Sequence, residues 1–332
     1  MTVRHQHDAP LNPADCRDKI TCTVGLPAYN EAENIGNLIE TLQNQRLCRV
    51  VLEQIVVVAS GCTDGTEAIV RRYAASDPRI KLITQPERRG KAAAVNIIIA
   101  ENTSDVIMLH SADVIPGLDT MERLVSSFDD LDVGIAGGRP TPTNDPNTFM
   151  GFIVHVLWNL HHDLSMKHPK MGEVIAFRPV VQRIPVDTPV DEASLEPLII
   201  GQGYRLHYVP DALVYNHGPT TVHDFIKQRR RIYTGHLYLK GLIGYKVATM
   251  SSPNIMGTFL RRVFHDLPHL PHYVAAMTLE VYGRLLGWWD WRVRKARPYI
   301  WSVAETTKVH IEAPEREASA PAMESSEPAA GT

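Results

Sequence analysis

Four short runs rich in valine and isoleucine, at residues 21–26, 54–59, 80–83 and 106–109, follow one another with room for a single helix in each gap. Each run is too short for a helix and too uniformly apolar for a strand with one wet face, so they read as parallel strands buried on both sides. The gaps carry the complementary pattern. Residues 33–45 place Ile35, Leu38, Ile39 and Leu42 on one helical face, and residues 66–75 and 91–100 behave similarly. Strand then helix, repeated, predicts an α/β fold with an open, mostly parallel sheet flanked by helices. A chain of 332 residues holds one such domain and an appendage.

In an open α/β sheet ligands bind beyond the carboxyl ends of the strands, which directs attention to residues 27–31, 60–66, 88–91 and 110–116. No G-x-G-x-x-G follows the first run and no G-x-x-x-x-G-K-[ST] occurs, so dinucleotide and P-loop chemistry are disfavoured. A formal net charge of -3 argues against nucleic acid as a partner. Cys16, Cys22, Cys48 and Cys62 form no C-x-x-C pair; they read as ordinary thiols in a reducing, cytoplasmic setting, with no zinc site.

The loops themselves carry Pro27-Ala28-Tyr29-Asn30-Glu31, Ser60-Gly61-Cys62-Thr63-Asp64-Gly65-Thr66, Arg89-Gly90-Lys91 and Ser111-Ala112-Asp113, in that order. Together with residues 201–217 and 228–231, they make roughly residues 20–240 resemble the inverting, nucleotide-sugar-dependent glycosyltransferases of family 2, with the GT-A fold. The resemblance implies a nucleotide-sugar donor whose departing diphosphate must be neutralised. It assigns Pro27, Tyr29 and Glu31 to the base and ribose, by stacking and by accepting a hydroxyl hydrogen bond. The competing reading is that Tyr29 packs and Glu31 caps the next helix. Ser60 falls on the donor side, where many relatives carry an acid beside it that reads uracil, so uridine specificity is not implied. Arg89 and Lys91 flank a predicted helix start suited to an anion, or form a solvated pair. Asp64 reads as a structural helix cap.

At Ser111-Ala112-Asp113, relatives place a D-x-D that binds Mg2+ or Mn2+ and the donor. Ser111 stands in for the first acid, and Asp113 keeps the position expected to touch the ion. Asp191-Glu192 resembles the acid pair supplying the general base, in swapped order, with Glu192 in the base position; the alternative is two acids favouring a helix N-terminus. A base is needed by a hydroxyl acceptor and not by a phosphate, which points to a glycan or lipid-linked glycan. His217 falls where some relatives place a histidine near the diphosphate or its metal, although a lone histidine at a strand end is commonly structural. Gln228 and Arg231 share a helical face and resemble the family's Q-x-x-R-W, with Ile232 replacing tryptophan; the resemblance assigns them to diphosphate or acceptor. His155, His161, His162 and His168 read as one helix without metal-ligand spacing, and Arg178 as a weak candidate for a substrate contact.

The resulting division is a polar tail at 1–19, a donor half at 20–140, an acceptor half at 141–245, a helical appendage at 246–311 and a tail at 312–332. In the appendage Glu280, Arg284 and Asp290 interrupt any membrane span. Trp288, Trp289 and Trp291, followed by Arg292, Arg294, Lys295 and Arg297, suit a helix lying in the inner face of a membrane; helices packing back on the catalytic domain or on a second subunit fit as well. Two other functions compete with this one. A sugar nucleotidyltransferase would want a Gly-rich, Arg-containing loop after the first strand, which residues 27–31 are not. A catalytically silent relative that binds nucleotide sugar or a partner protein is suggested by Ser111 and Ala59 and opposed by Asp113, Glu192, Gln228 and Arg231.

Overall fold

The computed structural model describes residues 19–186, 191–245, 252–295 and 311. The tails expected at 1–19 and 312–332 lie, apart from Lys19, outside the described residues. In chain order the elements are β1 (Ile20–Ala28), α1 (Ile35–Gln43), β2 (Val50–Ser60), α2 (Thr66–Ser76), β3 (Ile80–Gln85), α3 (Lys91–Glu101), β4 (Val106–His110), β5 (Val114–Pro116), α4 (Thr120–Val125), β6 (Val133–Pro142), α5 (Phe149–Ser165), β7 (Val174–Phe177), α6 (Asp191–Ile200), β8 (Arg205–Asn216), α7 (Val222–Ile243), α8 (Ser252–His265) and α9 (Leu270–Arg292). The four predicted strands and the three predicted helices between them are all present.

The strands form one sheet in the order β3-β2-β1-β4-β7-β6-β8-β5. β3, β2, β1 and β4 run parallel, so their carboxyl ends share one edge. β7 runs antiparallel to β4 and β6, and β5 antiparallel to β8. The sheet is therefore parallel in its first half and mixed in its second.

Side chains alternate across the parallel half. Val24, Leu26, Ile55, Val57 and Met108 face one core, which α1 closes with Ile35, Leu38, Ile39 and Leu42. Val56, Val58, Ile107 and Leu109 face the other, closed by Val95, Ile98 and Ile99 of α3 and Leu195 and Ile199 of α6. α3 lies so close to β1 that a Cβ on Gly25 would sit 2.3 Å from Ile98 Cγ2. Glycine at that position lets the helix seat on the strand, which holds the start of α3 near the carboxyl edge.

The second layer of packing is the pair α7 and α9. Gly283 and Gly287 bring them together: a Cβ on Gly287 would lie 2.7 Å from the Arg230 carbonyl oxygen. Glu280 accepts from Arg229 Nε (2.6 Å), Arg229 Nη2 (2.9 Å) and Arg284 Nε (2.7 Å). Asp290 accepts from Arg230 through both oxygens. The acids that interrupt the apolar stretch of α9 thus form the seam with α7, which is the packing-back arrangement weighed above. Among the described residues no helix is long and apolar enough to cross a membrane. Cys22 and Cys62 are free, as expected, whereas Cys48 is disulfide-bonded and so is not one of the ordinary thiols that the sequence suggested.

Candidate active site

The loops at the carboxyl ends of β1 and β2 are built as one unit. Asn30 takes a left-handed conformation (φ 53°), which a short amide side chain tolerates. Its Oδ1 accepts from the Thr63 amide at 2.9 Å. Asp64 accepts from the Thr66 amide (3.0 Å) and from the Ala32 amide (3.1 Å), tying α2 to the loop before α1. Burial acts to raise the Asp64 pKa, but the hydrogen bond from the Thr66 hydroxyl, together with these amide bonds, outweighs it and holds the carboxyl below its ordinary value. Its role is structural, as expected, although the cap position of α2 belongs to Gly65. Glu31 starts α1 through its carbonyl, which accepts from Asn34 and Ile35, and its amide donates to Thr66 Oγ1 at 2.8 Å.

Tyr29 presents its ring at this edge, with the Arg88 guanidinium 3.9 Å from the ring centroid. Arg88 lies in the loop 88–91 that the sequence singles out, but only Arg89 and Lys91 of that Arg-Arg-Gly-Lys run carry an expected role there. Ser60 is buried and accepts from the Arg89 amide at 3.2 Å, fixing the loop that leads into α3. Gly90 caps α3 with φ 85°, a conformation that L side chains disfavour, and offers no side chain to the first turn. The amides of that turn, with their positive end of the helix dipole, point toward the same edge as Lys91. Lys91 Nζ donates to Ser111 Oγ at 3.3 Å, which joins the start of α3 to the Ser111-Ala112-Asp113 loop.

Asp113 is partly buried, and its carboxylate has no hydrogen bond or ion pair among the described residues. β5 pairs with β8 so that Val114 lies opposite Asn216. The next residues beyond that pair are Asp113 and His217, so the structure brings the two to one sheet end. Beside them, His110 is buried and its Nδ1 lies 2.7 Å from the Ser111 carbonyl oxygen; burial drives its pKa down to about 4.

Residues 23–180 match the sequence model of glycosyl transferase family 2. Glycosyltransferase AglE of Haloferax volcanii is 29% identical over 268 residues, covering 76% of this chain and 83% of that protein. An N-acetylglucosaminyltransferase of Rhizobium meliloti is 24% identical over 66% of this chain, which spans only 56% of its length. Over residues 23–180 the chain is a family 2 glycosyltransferase. Among solved structures, a Pyrobaculum calidifontis mannosyltransferase in complex with GDP-Man and Mn2+ superposes with a TM-score of 0.56 at 24% identity, covering 89% of this chain and 86% of that one. Glucosyl-3-phosphoglycerate synthase of Mycobacterium tuberculosis, in complex with Mg2+ and UDP, gives 0.50 at 16% identity over 71% of this chain and 85% of that one. These likenesses establish the GT-A fold.

In this glycosyltransferase His217 is held from two sides. Thr143 Oγ1 lies 3.1 Å from Nδ1 and Asn144 Nδ2 3.4 Å from Nε2. Burial lowers its pKa, so the ring is neutral near pH 7, the form in which imidazole ligates metal. No group of three or more His, Cys, Asp or Glu side chains among the described residues forms a ready metal cage.

Asp191 and Glu192 open α6 as predicted, but their side chains lie outside the described residues. α6 packs on α3, and the segment before it is pinned by Asn96 Nδ2 donating to the Ile184 carbonyl at 2.9 Å and Asn96 Oδ1 accepting from the Ile184 amide at 2.7 Å. Gln228 and Arg231 sit on α7, immediately flanking the Arg229 and Arg230 that bind α9. Arg178 is turned to structure: it donates to the Val133 and Phe128 carbonyls at 2.9 and 2.8 Å. His168 falls beyond the end of α5, whereas His155, His161 and His162 lie on it.

Proposed function

We propose that this glycosyltransferase moves a sugar, with inversion, from a nucleoside-diphosphate donor to a hydroxyl of a glycan or lipid-linked glycan. The observation that carries the reading is the Asp113 carboxylate, without a protein partner among the described residues, at the edge where Lys91 and the start of α3, which no side chain caps, converge. Residues 20–140 then form the donor half and residues 141–245 the acceptor half.

The donor set fits Mg2+ or Mn2+. Such an ion is bound through one or two carboxylates, with diphosphate oxygens and water completing the shell; Asp113 supplies one, and His217, whose ring nitrogens face Thr143 Oγ1 and Asn144 Nδ2, would add a second group by giving up one of those contacts. When bound, the ion would neutralise charge building on the diphosphate. Tyr29, Pro27 and Glu31 bind base and ribose, Ser60 holds the loop of Arg89 and Lys91 against the phosphates, and Ser111 orients Lys91. Glu192, with Asp191 beside it, takes the acceptor hydroxyl proton as that oxygen attacks the anomeric carbon on the face opposite the diphosphate. Such a base contributes ~10²–10⁴ in rate. Gln228 and Arg231 hold diphosphate or acceptor.

We also place the enzyme peripherally at the inner face of a membrane. Leu285, Trp288 and Trp289 on α9 and Phe264 on α8 are exposed, and Arg292, Arg294 and Lys295 follow them; aromatic and basic groups together suit the headgroup layer.

Nucleotide release from a panel of UDP-, GDP- and dTDP-sugars, with and without Mn2+, tests the reading against Asp113→Ala. Metal-dependent release from one donor, lost in the folded mutant, is the expected result. No release from any donor, even with membrane extract supplying acceptors, would leave a protein that binds nucleotide sugar without turnover.

A further inference from the structure

Between α5, α7, α8 and α9 lies a cavity of about 270 Å³ that the transfer reaction above does not use. Leu157, Leu160, Phe259, Met277 and Val281 give it apolar walls. Its polar lining is of one predominant sign: Lys170, Arg229 and Arg284 contribute three cations against the single carboxylate of Glu280. Glu280 engages two donors of Arg229 and one of Arg284, which leaves most of the five N–H groups of each guanidinium to spare. Lys170 has neither hydrogen bond nor ion pair among the described residues. Glu196 acts on Lys170 through space from outside the lining, and its oxygens already accept from the Met171 amide (3.0 Å) and the Tyr245 hydroxyl (2.7 Å).

A second observation comes from His161, also in the lining. It is 6% exposed; one ring nitrogen faces the Met171 backbone, and the other has no hydrogen-bond partner. An imidazole buried in that state is costly unless something polar enters beside it. Burial pushes the pKa of His161 and His236 well down, and the nearby Lys170 and Arg229 charges push the same way. An anion is the entrant that relieves both the cationic excess and the unsatisfied ring.

We propose that this cavity, where Lys170, Arg229 and Arg284 meet a half-satisfied His161 beneath apolar walls, binds the phosphate head and first carbons of a lipid-linked acceptor. The inference rests on the acceptor reading given above and narrows it. The cavity is just below the ~300 Å³ of the smallest drug-sized sites, which suits a head group and the start of a chain. The rest of the chain leaves past Met256 and Val281, each 46% exposed, toward the exposed apolar residues of α8 and α9. A phosphate without a chain would leave the walls unfilled, and a chain without a phosphate would leave the cations facing it unneutralised.

The probes are farnesyl phosphate, farnesol and inorganic phosphate, titrated calorimetrically into the full chain below the micelle concentration. Farnesyl phosphate is expected to bind one-to-one and at least about tenfold more tightly than either control, the least that a charge-assisted hydrogen bond contributes. Lys170→Met should bring its affinity down to that of farnesol, and Met277→Trp, which fills the cavity, should abolish binding of both lipids; Ala276→Leu replaces it if the larger side chain prevents folding. Equal affinity for farnesyl phosphate and farnesol, or for farnesyl phosphate and inorganic phosphate, overturns the proposal, as does undiminished binding in Lys170→Met. Asp113→Ala should leave lipid binding unchanged. Donor turnover without lipid selectivity therefore refutes this site alone, and lipid selectivity without donor turnover refutes the transfer reading alone.

Discussion

Replacing Glu280 by Gln tests whether the charged seam between α7 and α9 holds the appendage. The carboxylate is 8% exposed and accepts three hydrogen bonds from two arginines. Burial by itself raises its pKa, but the Arg229 and Arg284 charges and hydrogen bonds outweigh that and bring it from 4.5 down to about 2. A depression of that size corresponds to about 3 kcal/mol of stability at neutral pH. Breaking a buried pair from one side costs a similar amount, ~3–5 kcal/mol, because the remaining charges lose their counter-ion. Glutamine keeps the volume, so no cavity contributes.

The pH dependence follows from the direction of the shift. A carboxyl whose folded pKa is depressed stabilises the fold fully above its unfolded value near 4.5, and that contribution fades as pH falls toward 2. The difference between wild type and Glu280→Gln should therefore be about 3 kcal/mol at pH 7 and roughly 1.4 kcal/mol at pH 3. Denaturant unfolding followed by circular dichroism and by tryptophan fluorescence, which Trp288, Trp289 and Trp291 on α9 report, measures both. A difference below ~1 kcal/mol at pH 7, within the range of an exposed pair, would refute the reasoning. So would a difference unchanged at pH 3.

Two further substitutions separate fold from chemistry. Gly25→Ala drives a methyl to within 2.3 Å of Ile98 Cγ2, on a β-branched side chain with little freedom to turn, so thermal unfolding should show a loss of ~1–3 kcal/mol. A melting point at the wild-type value would mean that α3 shifts freely on β1. Glu192→Ala should lower kcat by ~10²–10⁴ while leaving donor affinity in place, as befits a base that acts on the acceptor; parallel losses in kcat and donor binding in steady-state and titration assays would assign Glu192 a structural role.

The parts of the fold that were legible are those whose signal is local. β1 to β4 are covered on both faces, which produces the unbroken Val and Ile runs, and the helices between them each show one apolar face. In the loops at their carboxyl ends the structural part of Asp64 was legible, whereas the left-handed backbone of Asn30 and Gly90 is a matter of φ that the structure supplies. What pairing across the chain decides was not legible. β7 enters the sheet antiparallel between β4 and β6, and β5 finds β8 about 100 residues away, which is how Asp113 comes to share a sheet end with His217. The charges of α9 were only half legible for the same reason. In sequence Glu280, Arg284 and Asp290 only interrupt an apolar helix, and their partners Arg229 and Arg230 sit inside a run that resembles a substrate motif. A charge is read as exposed until its counter-ion is known, and counter-ions from another helix have no spacing rule. The Gln228–Arg231 run therefore divides between two tasks on one helix: Arg229 and Arg230 hold the appendage, and through Arg229 that seam forms one wall of the cavity that Lys170 and His161 complete.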